Sequence, residues 1–193
     1  MTETKTEERS ARPNLSRAFL ERLGLMLPDA KAQLTFWSLL VVGLALDLWT
    51  KRVVFDWLEH RGSVSIINGF LQFVRVLNNG AAFGIMAGKH YLLAAVSVVA
   101  LIGIFAVFLF SRSRQRLVHI ALGLFAAGVC GNLYDRIFNG GLVRDFVDVV
   151  YWPGKHWPAF NVADSLLCIG VGLLFISTFF TGRSARRHAQ QRK

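Results

Sequence analysis

Four apolar stretches punctuate the chain, at about 36–55, 91–110, 117–137 and 162–181. Each is close to the roughly 20 residues that a bilayer core demands of a helix. Between the first and second lies SVSIINGFLQFVRVLNNGAAFGIM, short on uninterrupted apolar length and rich in β-branched and aromatic residues. Asn68-Gly69 is a hairpin signal between strands expected at 63–67 and 70–74, and Asn79-Gly80 supplies a second turn. The pattern predicts a mostly α membrane protein: four transmembrane helices, a small β-element on the outer membrane surface, and an outward-facing connection over about 138–160. Three regions follow: an N-terminal extension at 1–34, a membrane domain at 35–182 with its β-element at about 62–88, and a basic tail at 183–193.

The four spans differ in what interrupts them. The second has no charge and only Tyr91 and Ser97 as polar residues, so it reads as scaffold. The third carries Gly123, Ala127 and Gly131 at i, i+4, i+8, a stripe that lets a neighbouring helix approach closely, and the next turn of that face is Asp135. Asn132 and Arg136 form an adjacent i, i+4 pair. In the first span Asp47 and Lys51 share a face near the interfacial Trp49. They fit an ion pair near the membrane surface and a direct role in a site equally well.

Composition agrees with the pattern: 53% of the 193 residues are hydrophobic and 18% charged, with mean hydropathy +0.42. A net charge of +10 in a soluble domain would raise nucleic-acid binding. Here the basic residues gather at the ends of apolar runs, at Arg112, Arg114 and Arg116 and again at Arg183, Arg186, Arg187, Arg192 and Lys193, as topology signals and anionic-lipid contacts do. Nucleic acid is therefore not an expected partner. The positive-inside rule puts that loop, the tail and the N-terminus in the cytosol. Cys130 and Cys168 lie inside apolar runs without metal or redox spacing and read as small packing residues. The first 31 residues lack the apolar core of a cleavable signal. Phe19, Leu20, Leu23, Leu25 and Met26 permit a short surface helix, and a mobile cytosolic extension is the plainer reading.

Candidate chemistry concentrates in GNLYDRIFNGGLVRDFVDVVYWPGKHWPAFNVADS, which holds Asp135, Asp145, Asp148 and Asp164 between two membrane-length runs. Carboxylates at such a place are costly unless used. Apolar neighbours of Asp145 would desolvate it and favour its protonated form. Asp164 follows Asn161 by three residues at a helix start, where free N–H groups and the helix dipole favour the ionised form. Brought together, the two would share one proton and activate water against a peptide carbonyl. Taken singly, each has a structural explanation: Asn161 with Asp164 as a cap, Asp145 or Asp148 as solvated loop charges, Asp135 as a partner of Arg136 or Arg144. An ion-coupled transporter and a magnesium-dependent lipid phosphotransferase also use membrane-borne aspartates. The clustering of the acids at one membrane face disfavours the transporter.

The strings Gly131-Asn132-Leu133-Tyr134-Asp135-Arg136, Val143-Arg144-Asp145-Phe146 and Phe160-Asn161-Val162-Ala163-Asp164-Ser165 resemble the signature blocks of lipoprotein signal peptidase, or signal peptidase II. Asp47 with Lys51, and Asn78-Asn79-Gly80-Ala81-Ala82-Phe83, resemble its earlier blocks in the right order. The resemblance spans about 36–180 and implies a multi-pass aspartic endopeptidase of the bacterial inner membrane, with its site toward the outer leaflet. Such an enzyme removes signal peptides from prolipoproteins just before a diacylglyceryl-modified cysteine and is blocked by the cyclic peptide globomycin. It implies Asp145 and Asp164 as the catalytic pair, with Asn132, Arg136, Asn161, Asp135, Asp47, Lys51, Asn78 and Gly80 supporting the site or touching substrate. It implies membrane lipid and prolipoproteins as partners, no metal or other cofactor, and no obligate protein partner. Arg144, where the pattern has an apolar residue, and the longer Asn139-Gly140-Gly141 connection depart from it.

Overall fold

The computed structural model describes residues 28–80, 86–110 and 115–190, with side chains through Thr178. The expectations for the N-terminal extension, for Ala81 to Phe83 and for Arg112 and Arg114 lie outside the described residues. Helix α1 (Ala30–Trp57) opens where the Asp29 carboxylate accepts a hydrogen bond from Ala32 N at 2.7 Å, an N-cap. Its buried residues, Ala32, Phe36, Leu40, Gly43, Asp47, Lys51 and Phe55, recur every three or four positions and form one stripe. Trp37, Val41, Val42, Leu46 and Trp49 are exposed around it, as suits a helix surrounded by lipid rather than water.

Helix α2 (His90–Phe110) packs on α3 (Arg116–Phe138), and α4 (Val162–Gln190) runs beside α3. Among the described residues α1, α2 and α3 are long and apolar enough to cross a membrane, and α4 is apolar over Val162–Thr178. The last helix continues to Gln190, past the end expected at 181, because Arg, Ala, Gln and Ser there are tolerated in a helix that has already nucleated. The small-residue stripe of α3 does what its spacing predicts. A Cβ on Gly123 would lie 2.9 Å from the Phe36 carbonyl oxygen, one on Gly43 would lie 2.8 Å from Ala127 Cβ, and one on Gly131 would collide with the Asp47 carboxylate. A second close approach, Gly170 against the backbone of Ala121 and Phe125, joins α3 to α4.

The apolar core fills one half of the bundle: Phe36, Leu40, Ile104, Phe108, Leu122, Ala126 and Val129, with the rings of Phe36 and Phe108 stacked at 4.0 Å. The other half is polar.

Beyond that polar half lies a four-stranded antiparallel sheet in the order β1 (Ser63–Ile67), β2 (Leu71–Asn78), β3 (Val143–Trp152), β4 (Lys155–His156). The β1–β2 hairpin turns at Asn68-Gly69, where Gly69 has φ of 73°, as the turn signal predicts. One expectation is corrected here: strand β2 runs four residues past 74, to Asn78. The outward-facing connection at 138–160 also carries a ten-residue strand, which the sequence pattern did not assign. Both have one cause, the pairing of β2 with β3: Gln72 opposite Asp148, Val76 opposite Asp145 and Asn78 opposite Val143, with a bulge between Phe73 and Val76. The Asn139-Gly140-Gly141 insertion fits without strain, since Gly140 and Gly141 take φ of 61° and 86° and Gly141 leaves room for the His90 ring.

Candidate active site

The site forms where the first turn of α4, the last turns of α3 and the facing segments of β2 and β3 converge. Asn161 caps α4. Its Oδ1 accepts from Asp164 N at 3.0 Å, and Asp164 Oδ2 accepts from Asn161 N at 3.1 Å, a reciprocal capping box. The capping explanation and the functional one therefore coexist, because the same box delivers a carboxylate to the pocket. Asn161 Nδ2 also donates to Asp145 Oδ1 at 2.6 Å, so one asparagine holds both acids. Each acid has one further amide donor: Asn78 Nδ2 to Asp145 Oδ2 at 2.9 Å, and Asn132 Nδ2 to Asp164 Oδ1 at 2.7 Å. Asp145 and Asp164 both line a cleft of about 860 Å³, shared with Asn78, Gly80, Asn132, Arg136 and an apolar wall.

Burial, and then the negative charge of Asp164, push the Asp145 carboxyl up from 3.8 to about 7, against the opposing pull of the Asn78 and Asn161 hydrogen bonds. The Asp145 carboxyl therefore exchanges its proton near neutral pH, within the range where a general acid is useful. Arg136 reaches the same cleft and donates to the Gly80 carbonyl at 3.4 Å, while Gly80 N donates to Asn78 Oδ1 at 2.9 Å. The chain that leaves β2 at Asn79 is met again at Gly88, whose N–H donates to the Asn79 carbonyl at 3.0 Å.

Behind the cleft, Lys51 is fully buried between two carboxylates, 2.8 Å from Asp47 and 3.2 Å from Asp135, and its third donation reaches Asn132 Oδ1 at 3.1 Å. Asp47 in turn accepts from Ala163 N at 2.8 Å in the first turn of α4. Asp47 and Lys51 thus lie within the protein and orient Asn132 and the α4 terminus, touching neither Asp145 nor Asp164 through any described hydrogen bond. Asp135 takes Arg144, at 2.6 and 3.1 Å from Nη2 and Nε and 3.0 Å from its backbone N, rather than Arg136. That pairing accounts for the departure at 144: an Arg side chain about four-fifths covered by protein, bonded to a buried acid, ties β3 to α3 beside Asp145.

A sequence profile described as Signal peptidase (SPase) II matches residues 39–180, most of the chain. The chain belongs to the signal peptidase II family. The lipoprotein signal peptidase of Geobacter metallireducens is 39% identical over 152 residues, covering 77% of this chain and 91% of that one. The counterpart from Halalkalibacterium halodurans is 36% identical over 152 residues, covering 79% and 96%. A solved bacterial membrane enzyme matches the fold with a TM-score of 0.69 at 32% identity, over 75% of this chain and 87% of that one. This member of the signal peptidase II family is thus a membrane peptidase.

The pocket of this family member also has residues that its motifs do not include. Val76 and Leu77 on β2, Trp157 to Phe160 before Asn161, and Leu167 and Cys168 on α4 supply its apolar wall. The β-branched and aromatic residues from Val143 to Trp152 were the available signal for β3, and with it for a wall built from the following turn.

Proposed function

We propose that this chain is an aspartic endopeptidase of the bacterial cytoplasmic membrane that cleaves diacylglyceryl-modified prolipoproteins just before the lipidated cysteine. The observation that carries the proposal is the double hold of Asn161 on Asp145 and Asp164 at the rim of one cleft, with the carboxyl of the former pushed up to about 7. Asp164 accepts two N–H hydrogen bonds, an arrangement that a carboxylate satisfies. In this reading Asp164 takes a proton from a water as its oxygen bonds to the scissile carbonyl carbon, and Asp145 gives its proton to the carbonyl oxygen. The tetrahedral diol then collapses: Asp164 returns its proton to the amine nitrogen, the C–N bond breaks, and Asp145 recovers a proton from the collapsing hydroxyl.

Arg136 and Asn78 line the cleft where the substrate backbone would lie, and the rim at Val76, Leu77, Leu167 and Cys168 suits the lipid-bearing side of the substrate. Acyl chains staying in the bilayer between helices would explain why the reaction needs a membrane enzyme. The basic segment at 111–116 and the basic tail support cytosolic termini and a site toward the outer leaflet. No nucleic acid and no obligate protein partner enter this reading.

Detergent-purified full chain should convert a diacylated precursor to a lipid-bearing product and a free signal peptide, at full rate in excess chelator and not in the presence of globomycin. Loss of activity in chelator would favour the phosphotransferase type of site, and an uncut precursor would end the proposal.

A further inference from the structure

Asp148 stands apart from this chemistry. It follows Asp145 by three positions on β3, so the two side chains leave opposite faces of the strand. Its carboxylate is buried, yet it faces two donors, Gln72 Nε2 at 2.5 Å from β2 and His156 Nδ1 at 2.8 Å from β4. Three neighbouring strands meet on one carboxylate. The register dictates this, since Gln72 lies opposite Asp148 and His156 lies opposite Val150 two residues on. Because a carboxylate only accepts, the imidazole must present its proton from Nδ1.

What the contact fastens is the more informative point. Strand β4 has two residues, and its ladder with β3 consists of the pairs Val150–His156 and Trp152–Lys155. A pairing so short holds weakly by itself. The four residues immediately after His156, Trp157 to Phe160, form one wall of the cleft, and Asn161, which holds both acids, comes next. The far end of that wall is fixed by backbone hydrogen bonds: Phe160 N to Val147 O at 3.0 Å, and Phe146 N and Val147 N to Phe160 O at 3.0 and 2.8 Å. The near end has Trp157 N to Val149 O at 2.8 Å and the imidazole on Asp148.

We propose that Asp148 and His156 are positioning residues for the peptidase reaction, holding the 157–160 wall at the distance from Asp145 and Asp164 that substrate requires. The inference rests on the peptidase reading above. Since the two acids keep their own amide donors from Asn78, Asn132 and Asn161, loosening the wall affects substrate binding more than bond cleavage.

Two variants of the full chain in detergent, His156→Leu and His156→Asn, test this against a diacylated precursor, with hydrogen exchange of the 154–160 amides measured alongside. Asparagine places an amide N–H near the position of Nδ1, and leucine has no donor. The imidazole is half exposed, so either replacement spares the apolar packing. The leucine variant should raise KM about fivefold to tenfold with kcat within about twofold, as expected for a lost hydrogen bond to a charged group, and should speed exchange across 154–160. The asparagine variant should restore most of both. An unchanged KM and unchanged exchange in the leucine variant would overturn the inference. So would a fall in kcat with no change in KM, or no rescue by asparagine. Normal processing by Asp145→Asn would instead sink the aspartic reading, and the exchange data would still decide whether the tie holds the wall.

Discussion

Asp145→Asn and Asp164→Asn should each lower the cleavage rate of a diacylated precursor by about a thousandfold or more, since each removes a proton carrier that acts in the transition state. Asparagine has nearly the shape of aspartate, so the cleft keeps its outline. At position 164 it is also a competent partner in the capping box with Asn161, so α4 keeps its start. The loss should therefore appear in kcat, with thermal midpoints in detergent within a few degrees of the unmodified enzyme. Processing by either variant at a rate within tenfold of normal would mean that the reaction does not run through that carboxyl.

The second large effect is on stability. Lys51→Met should cost about 3 to 5 kcal/mol, because it leaves Asp47 and Asp135 buried with a cation removed from between them. A fall in the thermal midpoint on the order of 10 °C is the expected reading. Arg52→Met is the internal control. Arg52 is the next residue, but it is 83% exposed, and its pairing with Asp56 spans 3.9 Å in open surroundings, so its loss should shift the midpoint by no more than about one or two degrees. Activity should follow stability in Lys51→Met, since Lys51 also steadies Asn132 Oδ1, whose amide holds Asp164. Equal behaviour of the two variants would show that the buried cluster does not carry the fold.

Much of this was legible in the chain because it is local. The four apolar runs, the Asn68-Gly69 hairpin and the Gly123-Ala127-Gly131 stripe each follow from spacing along one element, and the helices meet along that stripe. Asn161 with Asp164 was readable as a helix start for the same reason. What escaped was set by pairings between distant segments. Nothing local to Asn78 says that it will sit across a ladder from Val143 and reach Asp145, 67 residues away. The apolar-polar alternation of β3 is broken by Arg144 beside Asp145, so the run resembles a loop until β2 is laid against it. The burial of Lys51 is likewise a property of the bundle: the i, i+4 spacing to Asp47 is compatible with a solvated pair, and only Asp135 and Asn132 on α3 make it an interior one. The sequence offered Asp135 either Arg136 or Arg144 as a partner, and only the packing of β3 against α3 selects Arg144, nine residues on and on a different element.

The central claim is that one proton is shared by Asp145 and Asp164 in the working enzyme. Its most direct test is the pH dependence of kcat/KM on a diacylated precursor. Folding raises the Asp145 carboxyl from 3.8 to about 7, so the native state favours its protonated form. The stability this contributes is complete below 3.8 and is lost as the pH climbs through about 7. The same ionisation should remove the acid that protonates the carbonyl oxygen. The account predicts a rate that declines above pH of about 7, approaching tenfold per unit, while the enzyme stays folded. A rate that holds level from pH 6 to about 9 would contradict it.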